Sequence, residues 1–129
     1  MRQLESIEQQ RLFTWWRLEG CKTYGLPPCV LFAIPNGGKR SLKTAMQLKR
    51  EGVQAGVPDI FLAVPDRFRN GLFIEMKRPK SPGTRAGSAS KEQREVMASL
   101  MASGYGCVVA YGATEARNVI ERYLRGEKI

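Results

Sequence analysis

Two apolar segments separated by a short turn-rich stretch constrain this sequence more than any other feature. Residues 60–64 and 72–77 each have the length and composition of a buried strand. Residues 65–71 between them contain proline, aspartate, asparagine and glycine, which are typical of turns. Because so short a connection can join only antiparallel neighbours, the sequence predicts a β-hairpin centred near Arg67.

Charged residues at the ends of these apolar strands need a partner, water or a cation, because burial of an unpaired charge is costly. Glu75 and Lys77 are two positions apart, so in a strand they project from the same face. Residues directly opposite each other in a hairpin also share a face. Pairing of Asp59 with either Glu75 or Lys77 would therefore gather all three side chains, and a one-residue shift in register would separate them.

Two carboxylates and an amine gathered in this way suit the hydrolysis of a phosphodiester. The carboxylates of Asp59 and Glu75 are ligands that Mg²⁺ or Mn²⁺ prefers, and the Met76 carbonyl oxygen is a further candidate ligand. Lys77 can position or deprotonate the attacking water or stabilise developing negative charge. The alternative is an ordinary ion pair between Lys77 and Glu75, with Asp59 ending a turn. The three residues alone leave both interpretations open.

The chain contains no histidine and only three cysteines, at positions 21, 29 and 107. This composition excludes Ser-His-Asp and Cys-His catalysis and argues against a structural zinc site or a disulfide framework. An enzyme with this sequence must use carboxylates, lysine or a metal ion.

The net charge of +9 is concentrated in one part of the chain. Residues 35–94 contain 13 lysines and arginines against 5 aspartates and glutamates, whereas the remainder contains 8 against 7. A basic segment of this kind favours a polyanionic partner such as nucleic acid, although charge of this kind also occurs on ordinary solvated surfaces.

The hydrophobic pattern predicts one domain over residues 1–129, with the element order α-β-α-β-β-α-β-α. The strands lack a polar face, which predicts an α/β fold with a central mixed sheet covered by helices. Capping-box patterns at residues 6–9 and 90–93 predict the starts of the first and third helices. The N-terminus is too polar for a signal peptide and the apolar runs are too short to span a membrane, so we expect an intracellular protein.

An ordered series of short motifs resembles the VRR-NUC (virus-type replication-repair nuclease) family of the PD-(D/E)xK superfamily. The resemblance runs from about residue 5 to residue 124. The motifs are Pro35-Asn36-Gly37-Gly38, Gly52 through Gly56-Val57-Pro58-Asp59-Ile60, Phe73-Ile74-Glu75-Met76-Lys77 and Ser90-Lys91-Glu92-Gln93. The resemblance implies a restriction-endonuclease-like core and catalysis with Mg²⁺ or Mn²⁺.

The resemblance also implies roles for individual residues. It places metal ligation on Asp59 and Glu75 and the catalytic lysine at Lys77. Supporting catalytic roles fall on Glu8, as a possible metal ligand, and on Gln93. Both have simpler explanations, since Glu8 at the second position of a helix would favour the helix dipole and Gln93 could close a capping box.

Candidate contacts to the DNA backbone lie mainly in the basic segment. The turn at residues 36–40 could present backbone N–H groups and two cations to a phosphate, or could be an ordinary turn before a helix. The complete set of candidates is Asn36, Gly37, Gly38, Lys39, Arg40, Lys43, Arg78, Lys80 and Arg85.

The sequence and the resemblance together predict a metal-dependent DNA endonuclease. Stand-alone members of the family, often viral, resemble homodimeric nucleases that cut branched DNA such as Holliday junctions, and larger members act in crosslink repair. Two alternatives stay open: a nicking or nonspecific nuclease that needs a partner, and a non-catalytic DNA-binding module with the same fold.

Overall fold

The computed structural model describes residues 2–35 and 41–129. Helix α1 (Arg2–Trp15) continues without a break through a π-helical segment (Trp16–Gly20) and a short helix, α2 (Cys21–Thr23). The predicted start of this helix near Ile7 was wrong. Ser6 lies inside α1, where its hydroxyl accepts a hydrogen bond from the Gln10 side chain at 3.2 Å. The polar residues before it extend the helix instead of capping it.

Four strands form a single mixed sheet in the order β1 (Leu31–Ala33), β2 (Ile60–Leu62), β3 (Leu72–Lys77) and β4 (Gly106–Tyr111) within the described part of the chain. Strands β1–β2 and β2–β3 are antiparallel, so the predicted hairpin is present. Strands β3 and β4 are parallel and therefore need a crossover, which helix α4 (Lys91–Ala102) provides.

The two faces of the sheet bury different partners. Even-numbered residues of β2 and β3 are fully buried and pack against helices α1 and α5 (Ala113–Leu124). On the odd-numbered face, Phe61 and Phe73 stack with ring centroids 4.4 Å apart, and Tyr105 packs edge-on against both. Helix α4 covers part of this second face, where the Cys107 thiol contacts the Met97 carbonyl. The α/β architecture with helices flanking a mixed sheet is thus confirmed.

Helix α3 (Leu42–Arg50) connects β1 to β2 and begins where the sequence predicts, at Ser41. The Ser41 hydroxyl accepts a hydrogen bond from the Thr44 N–H at 3.1 Å and so caps the helix. Both ends of this connection lie beside each other, because the Ile34 N–H donates to the Asp59 carbonyl oxygen. The connection that contains helix α3 therefore leaves and re-enters the sheet at the end where Asp59 is located.

Within residues 2–35 and 41–129, none of the helices combines the length and the hydropathy that crossing a lipid bilayer requires. The three cysteines are free thiols, of which Cys21 is buried and Cys29 is exposed.

Candidate active site

The β2–β3 hairpin brings Asp59 and Glu75 together. Ile60 lies opposite Ile74, so the preceding Asp59 reaches the level of Glu75. The Asp59 carboxylate accepts a hydrogen bond from the Met76 N–H at 2.8 Å, which fixes its position against β3. The sequence left two registers open, and the structure adopts the one that pairs Asp59 with Glu75.

Glu75 is a buried carboxylate, with only 4% of its surface exposed. Its burial and the nearby charge of Asp59 raise the pKa of Glu75 to about 7, although the Lys77 ammonium opposes this increase. The charge of Glu5 in α1 raises it further. Negative charge is therefore crowded at this point, and the site favours a proton or a cation beside Glu75.

Lys77 lies on the same side of β3 as Glu75, as the strand spacing predicts. Its Nζ atom is 3.5 Å from a Glu75 oxygen, and its side chain is mostly buried. The same Nζ is 3.5 Å from the side-chain oxygen of Gln93. The ammonium thus sits at the edge of the carboxylate pair, where it can bind a further anion.

Gln93 joins the start of helix α4 to the sheet. Its side-chain oxygen accepts a hydrogen bond from the Ser90 backbone N–H at 2.9 Å. The Gln93 backbone N–H in turn donates to the Ser90 hydroxyl, so the predicted capping box is formed. Its side-chain amide also donates to Glu75 at 2.9 Å. The structural and functional explanations of Gln93 are therefore compatible, because the two ends of the amide serve different partners.

Both oxygens of the Glu8 carboxylate have partners other than Asp59 and Glu75. One of its carboxylate oxygens accepts a hydrogen bond from the Ala113 N–H, at the N-terminus of α5, at 2.9 Å. The other forms an ion pair with Arg11 at 3.0 Å. The Glu8 carboxylate does have the predicted favourable interaction with the positive end of a helix dipole, but the helix is α5 and not α1.

Glu5 is the acidic residue that α1 turns toward the other carboxylates, although neither the sequence pattern nor the resemblance indicated it. It lines the cavity that contains Asp59 and Glu75. The resemblance had placed the supporting acidic role on Glu8, about one turn further along the same helix. The spacing of the buried residues Leu12 and Trp16, which fixes the inward face of the helix, was the information that could have identified Glu5.

An open cavity of about 1370 Å³ runs along helix α1 and reaches the N-terminal turn of α4 at this end of the sheet. Charged and amide side chains form one part of its wall, and Phe13, Leu31 and Phe32 form an apolar part. The polar lining consists mainly of Glu5, Gln9, Asp59, Glu75, Lys77 and Gln93. The cavity is large enough for a nucleotide unit and places these groups at its wall.

Comparison with known proteins identifies the family of this fold and site. The VRR-NUC domain family matches residues 5–114. The chain belongs to the VRR-NUC family. A solved structure described as a VRR_NUC domain protein superposes with a TM-score of 0.77 and 28% sequence identity, covering 96% of this chain and 90% of that one. No curated protein matches the chain.

VRR-NUC is a family of nucleases, and membership of it suggests that the protein uses a divalent metal ion. The oxygen atoms at this site are suitable ligands for such an ion. Asp59 and Glu75 supply hard oxygen ligands, and a cation would relieve the crowding that raises the pKa of Glu75. In the described residues, no three Asp, Glu, Cys or His side chains come close enough to form a complete site by themselves. The remaining ligands would be water or a backbone oxygen such as the Met76 carbonyl, a usual arrangement for Mg²⁺.

None of the predicted DNA contacts that the structure of this VRR-NUC domain describes lines the cavity itself. Residues 36–40, which include Asn36, Gly37, Gly38, Lys39 and Arg40, fall outside the described residues. Lys43 is exposed on α3. In the loop after β3, the Arg78 guanidinium donates to the Arg85 carbonyl at 2.9 Å, and Lys80 lies 4.4 Å from the centre of the Tyr111 ring. The loop that follows Lys77 thus holds a basic surface beside the site.

Proposed function

We propose that this VRR-NUC protein is a divalent-metal-dependent DNA endonuclease that hydrolyses phosphodiester bonds at the Asp59–Glu75–Lys77 cluster. The observation that carries the proposal is the convergence of these three groups in one cavity of a nuclease fold. Carboxylates beside DNA would repel its phosphates unless a cation were present. Their crowding around Glu75 therefore favours catalysis over simple DNA binding.

Each residue has a distinct role in this proposal. Asp59 and Glu75 hold Mg²⁺ or Mn²⁺, with the Met76 carbonyl as a further ligand. The ion, when bound, supplies positive charge for the phosphate oxygens and increases the acidity of water. Lys77 orients the attacking water or binds a phosphate oxygen as its charge grows. Gln93 holds the Glu75 carboxylate in place through its 2.9 Å hydrogen bond.

The structure also leads us to revise the acidic residue that α1 contributes. Glu5 lines the cavity and its charge affects Glu75, whereas Glu8 is bound to Ala113 and Arg11. We assign the supporting acidic role at the metal site to Glu5. It acts through an intervening water, because no third acidic side chain of the described residues is close enough to join Asp59 and Glu75 as a direct ligand.

We further propose that the enzyme acts as a homodimer on branched DNA such as four-way junctions. Stand-alone members of the family provide the substrate analogy. A surface on the N-terminal helix supports self-association, because Leu4 and Ile7 in α1 and Leu18 in the π-helical segment that continues it are exposed, with Leu18 66% exposed. Such a row of exposed apolar side chains is typical of an interface. A dimer would present two active sites to two strands.

A side-by-side cleavage assay tests the catalytic proposal. Purified protein with Mg²⁺ is offered labelled linear duplex, nicked, flap and four-way-junction DNA. We expect cleavage that stops in excess chelator and falls at least about 100-fold in Asp59→Asn and Lys77→Ala. Asn can still accept from the Met76 N–H, so the fold is retained. The matched control is Lys128→Ala, which removes an exposed lysine near the C-terminus.

The possible outcomes separate the alternatives. Symmetric cuts confined to the junction support a resolvase, and equal cutting of every substrate supports a nonspecific nuclease. Cutting of one strand only indicates a nicking enzyme. Wild-type rates in Lys77→Ala, or unchanged cleavage in chelator, would show that the proposed mechanism is wrong.

A further inference from the structure

We propose that Glu8 is a positioning residue that holds Glu5 at the candidate active site by tying helix α1 to the start of helix α5. The proposal rests on the role assigned to Glu5 above. It replaces a direct role for Glu8 at the metal with an indirect one. The argument begins with the contacts of the Glu8 carboxylate.

Glu8 is a buried acidic residue, 9% exposed, with a defined partner for each oxygen. Oε1 accepts from the Ala113 N–H at 2.9 Å, and Oε2 accepts from Arg11 at 3.0 Å. The first N–H groups of a helix have no partner within the helix and carry partial positive charge. A carboxylate from α1 therefore satisfies α5 at a point where α5 has no cap from its own sequence.

Gly112, the residue before α5, makes this contact possible. Its φ of +90° is strained for a residue with a side chain, and an added Cβ would lie 3.0 Å from Glu8 Oε1. As N-cap it also has no side chain that could accept from α5. Helix α5 is thus capped by Glu8, which lies 105 positions before Ala113 in the sequence, and not by a residue next to the helix.

The same turn is bonded directly to the catalytic strand. The Gly112 N–H donates to the Lys77 carbonyl oxygen at 3.0 Å. Glu8 is therefore linked through Ala113 and Gly112 to the end of β3 that carries Glu75 and Lys77. This linkage fixes α1 relative to the active-site strand.

Glu5 precedes Glu8 by three residues, so the two side chains lie about one turn apart on neighbouring sides of α1. A helix rotates and slides as a unit. The Glu8–Ala113 hydrogen bond therefore fixes the rotation of α1 about its axis, and with it the position of the Glu5 side chain at the cavity. Loss of this bond would leave α1 held by its apolar contacts and by the cation–π contact between Trp15 and Arg117 of α5. We expect Glu5 then to lose its defined distance to Glu75.

The test measures Mn²⁺ binding without DNA, by calorimetry, in addition to cleavage. Glu8→Ala should weaken Mn²⁺ binding about tenfold, a typical effect of losing a residue that orients metal ligands. Glu8→Gln should restore most of the affinity, because its amide oxygen can still accept from Ala113. Tyr123→Phe is the stability control, since it removes a buried 2.7 Å hydrogen bond to the Val64 carbonyl away from the site. Its Mn²⁺ affinity should equal that of the wild type.

A double-mutant comparison decides whether Glu8 acts through Glu5. If it does, Glu8→Ala has no further effect on Mn²⁺ affinity in a Glu5→Ala background. Equal weakening with and without Glu5 would overturn the proposal, as would wild-type affinity in Glu8→Ala. Should Glu8→Ala fail to fold, Glu8→Asp is used, which keeps the charge but is too short to reach Ala113, and the same outcomes apply.

Failure of this inference differs from failure of the proposed function. If Glu5→Ala weakens Mn²⁺ binding and Glu8→Ala does not, only the positioning role is wrong. If Glu5→Ala binds Mn²⁺ like the wild type, the assigned role of Glu5 is wrong and the positioning role fails with it.

Discussion

The side-chain amide of Gln93 donates a 2.9 Å hydrogen bond to the Glu75 carboxylate, while its oxygen accepts from the Ser90 N–H at the start of α4. The cap of one helix and the support of one acidic residue thus depend on the same side chain. Glu75 depends on Gln93 more than the helix cap does. It is buried, and its other contact in this network is the 3.5 Å ion pair with Lys77.

The two functions of Gln93 can be separated by mutation. Gln93→Ala should lower both the free energy of unfolding, by about 1 kcal/mol, and the cleavage rate, by about tenfold or more. Ser90→Ala removes the other half of the capping box and should cost similar stability, while Gln93 still reaches Glu75. Denaturant unfolding and initial cleavage rates measure the two effects. Equal losses of rate in both variants would show that Gln93 serves only the helix.

Metal binding should compete with protonation of Glu75. Because its folded-state pKa is raised from the usual 4.5 to about 7, the folded protein binds more protons than the unfolded chain between these two pH values. In the absence of metal, the Glu75 contribution to stability is therefore greatest below the unfolded pKa and declines as pH rises toward 7. Mg²⁺ binds the deprotonated carboxylate, so its stabilising effect should grow as pH rises.

Thermal unfolding with and without Mg²⁺ checks this expectation. The increase in Tm on adding Mg²⁺ should be larger at about pH 8 than at about pH 6. In Glu75→Gln the increase should be small at both. An equal increase at the two pH values in the wild type would contradict the crowding of carboxylates described above.

Affinity for DNA should depend steeply on salt. If about six phosphates are contacted, binding should weaken on the order of 10³-fold between 50 and 200 mM salt, measured by fluorescence anisotropy with the non-cleaving Asp59→Ala variant. Adding Lys80→Ala should reduce the salt slope by about one phosphate contact. Adding Lys128→Ala should leave the slope unchanged. An affinity that does not change with salt would exclude phosphate contacts by the basic loop.

Self-association through α1 and the π-helical segment that follows it predicts a specific monomeric variant. Leu18 is 66% exposed, so Leu18→Glu should leave the fold intact while placing a charge in the proposed interface. We expect the dimer to weaken at least about tenfold in sedimentation velocity. Met101→Glu, at a similarly exposed position on α4, is the control and should remain dimeric. A dimeric Leu18→Glu protein would place the interface elsewhere.

Local pattern was sufficient to predict the hairpin and the groups it brings together. The alternation of apolar and charged residues in β3 predicted that Glu75 and Lys77 share one face. The short turn predicted that Asp59 lies beside them, at the start of the neighbouring strand. The structure shows this arrangement, and the catalytic roles of the three residues remain our proposal. Gln93 was also accessible from sequence, because its capping box lies within four consecutive residues.

The contribution of α1 could not be predicted in the same way. A serine followed by polar residues resembles a helix start, but the helix begins at Arg2 and Ser6 lies inside it. The partner of Glu8 lies 105 residues away, and no local pattern indicates so distant a contact. Tertiary packing decided which acidic residue faces the cavity.

The order in which the chain is synthesised gives the Glu8–Ala113 contact a further consequence. The β2–β3 hairpin needs only neighbouring segments and can pair early, whereas α1 receives its anchor only after the final helix has been made and has docked. A nascent or truncated chain that ends before α5 would contain Asp59, Glu75 and Lys77 but would hold Glu5 loosely. Assembly of the complete cavity thus waits for the last helix of the fold.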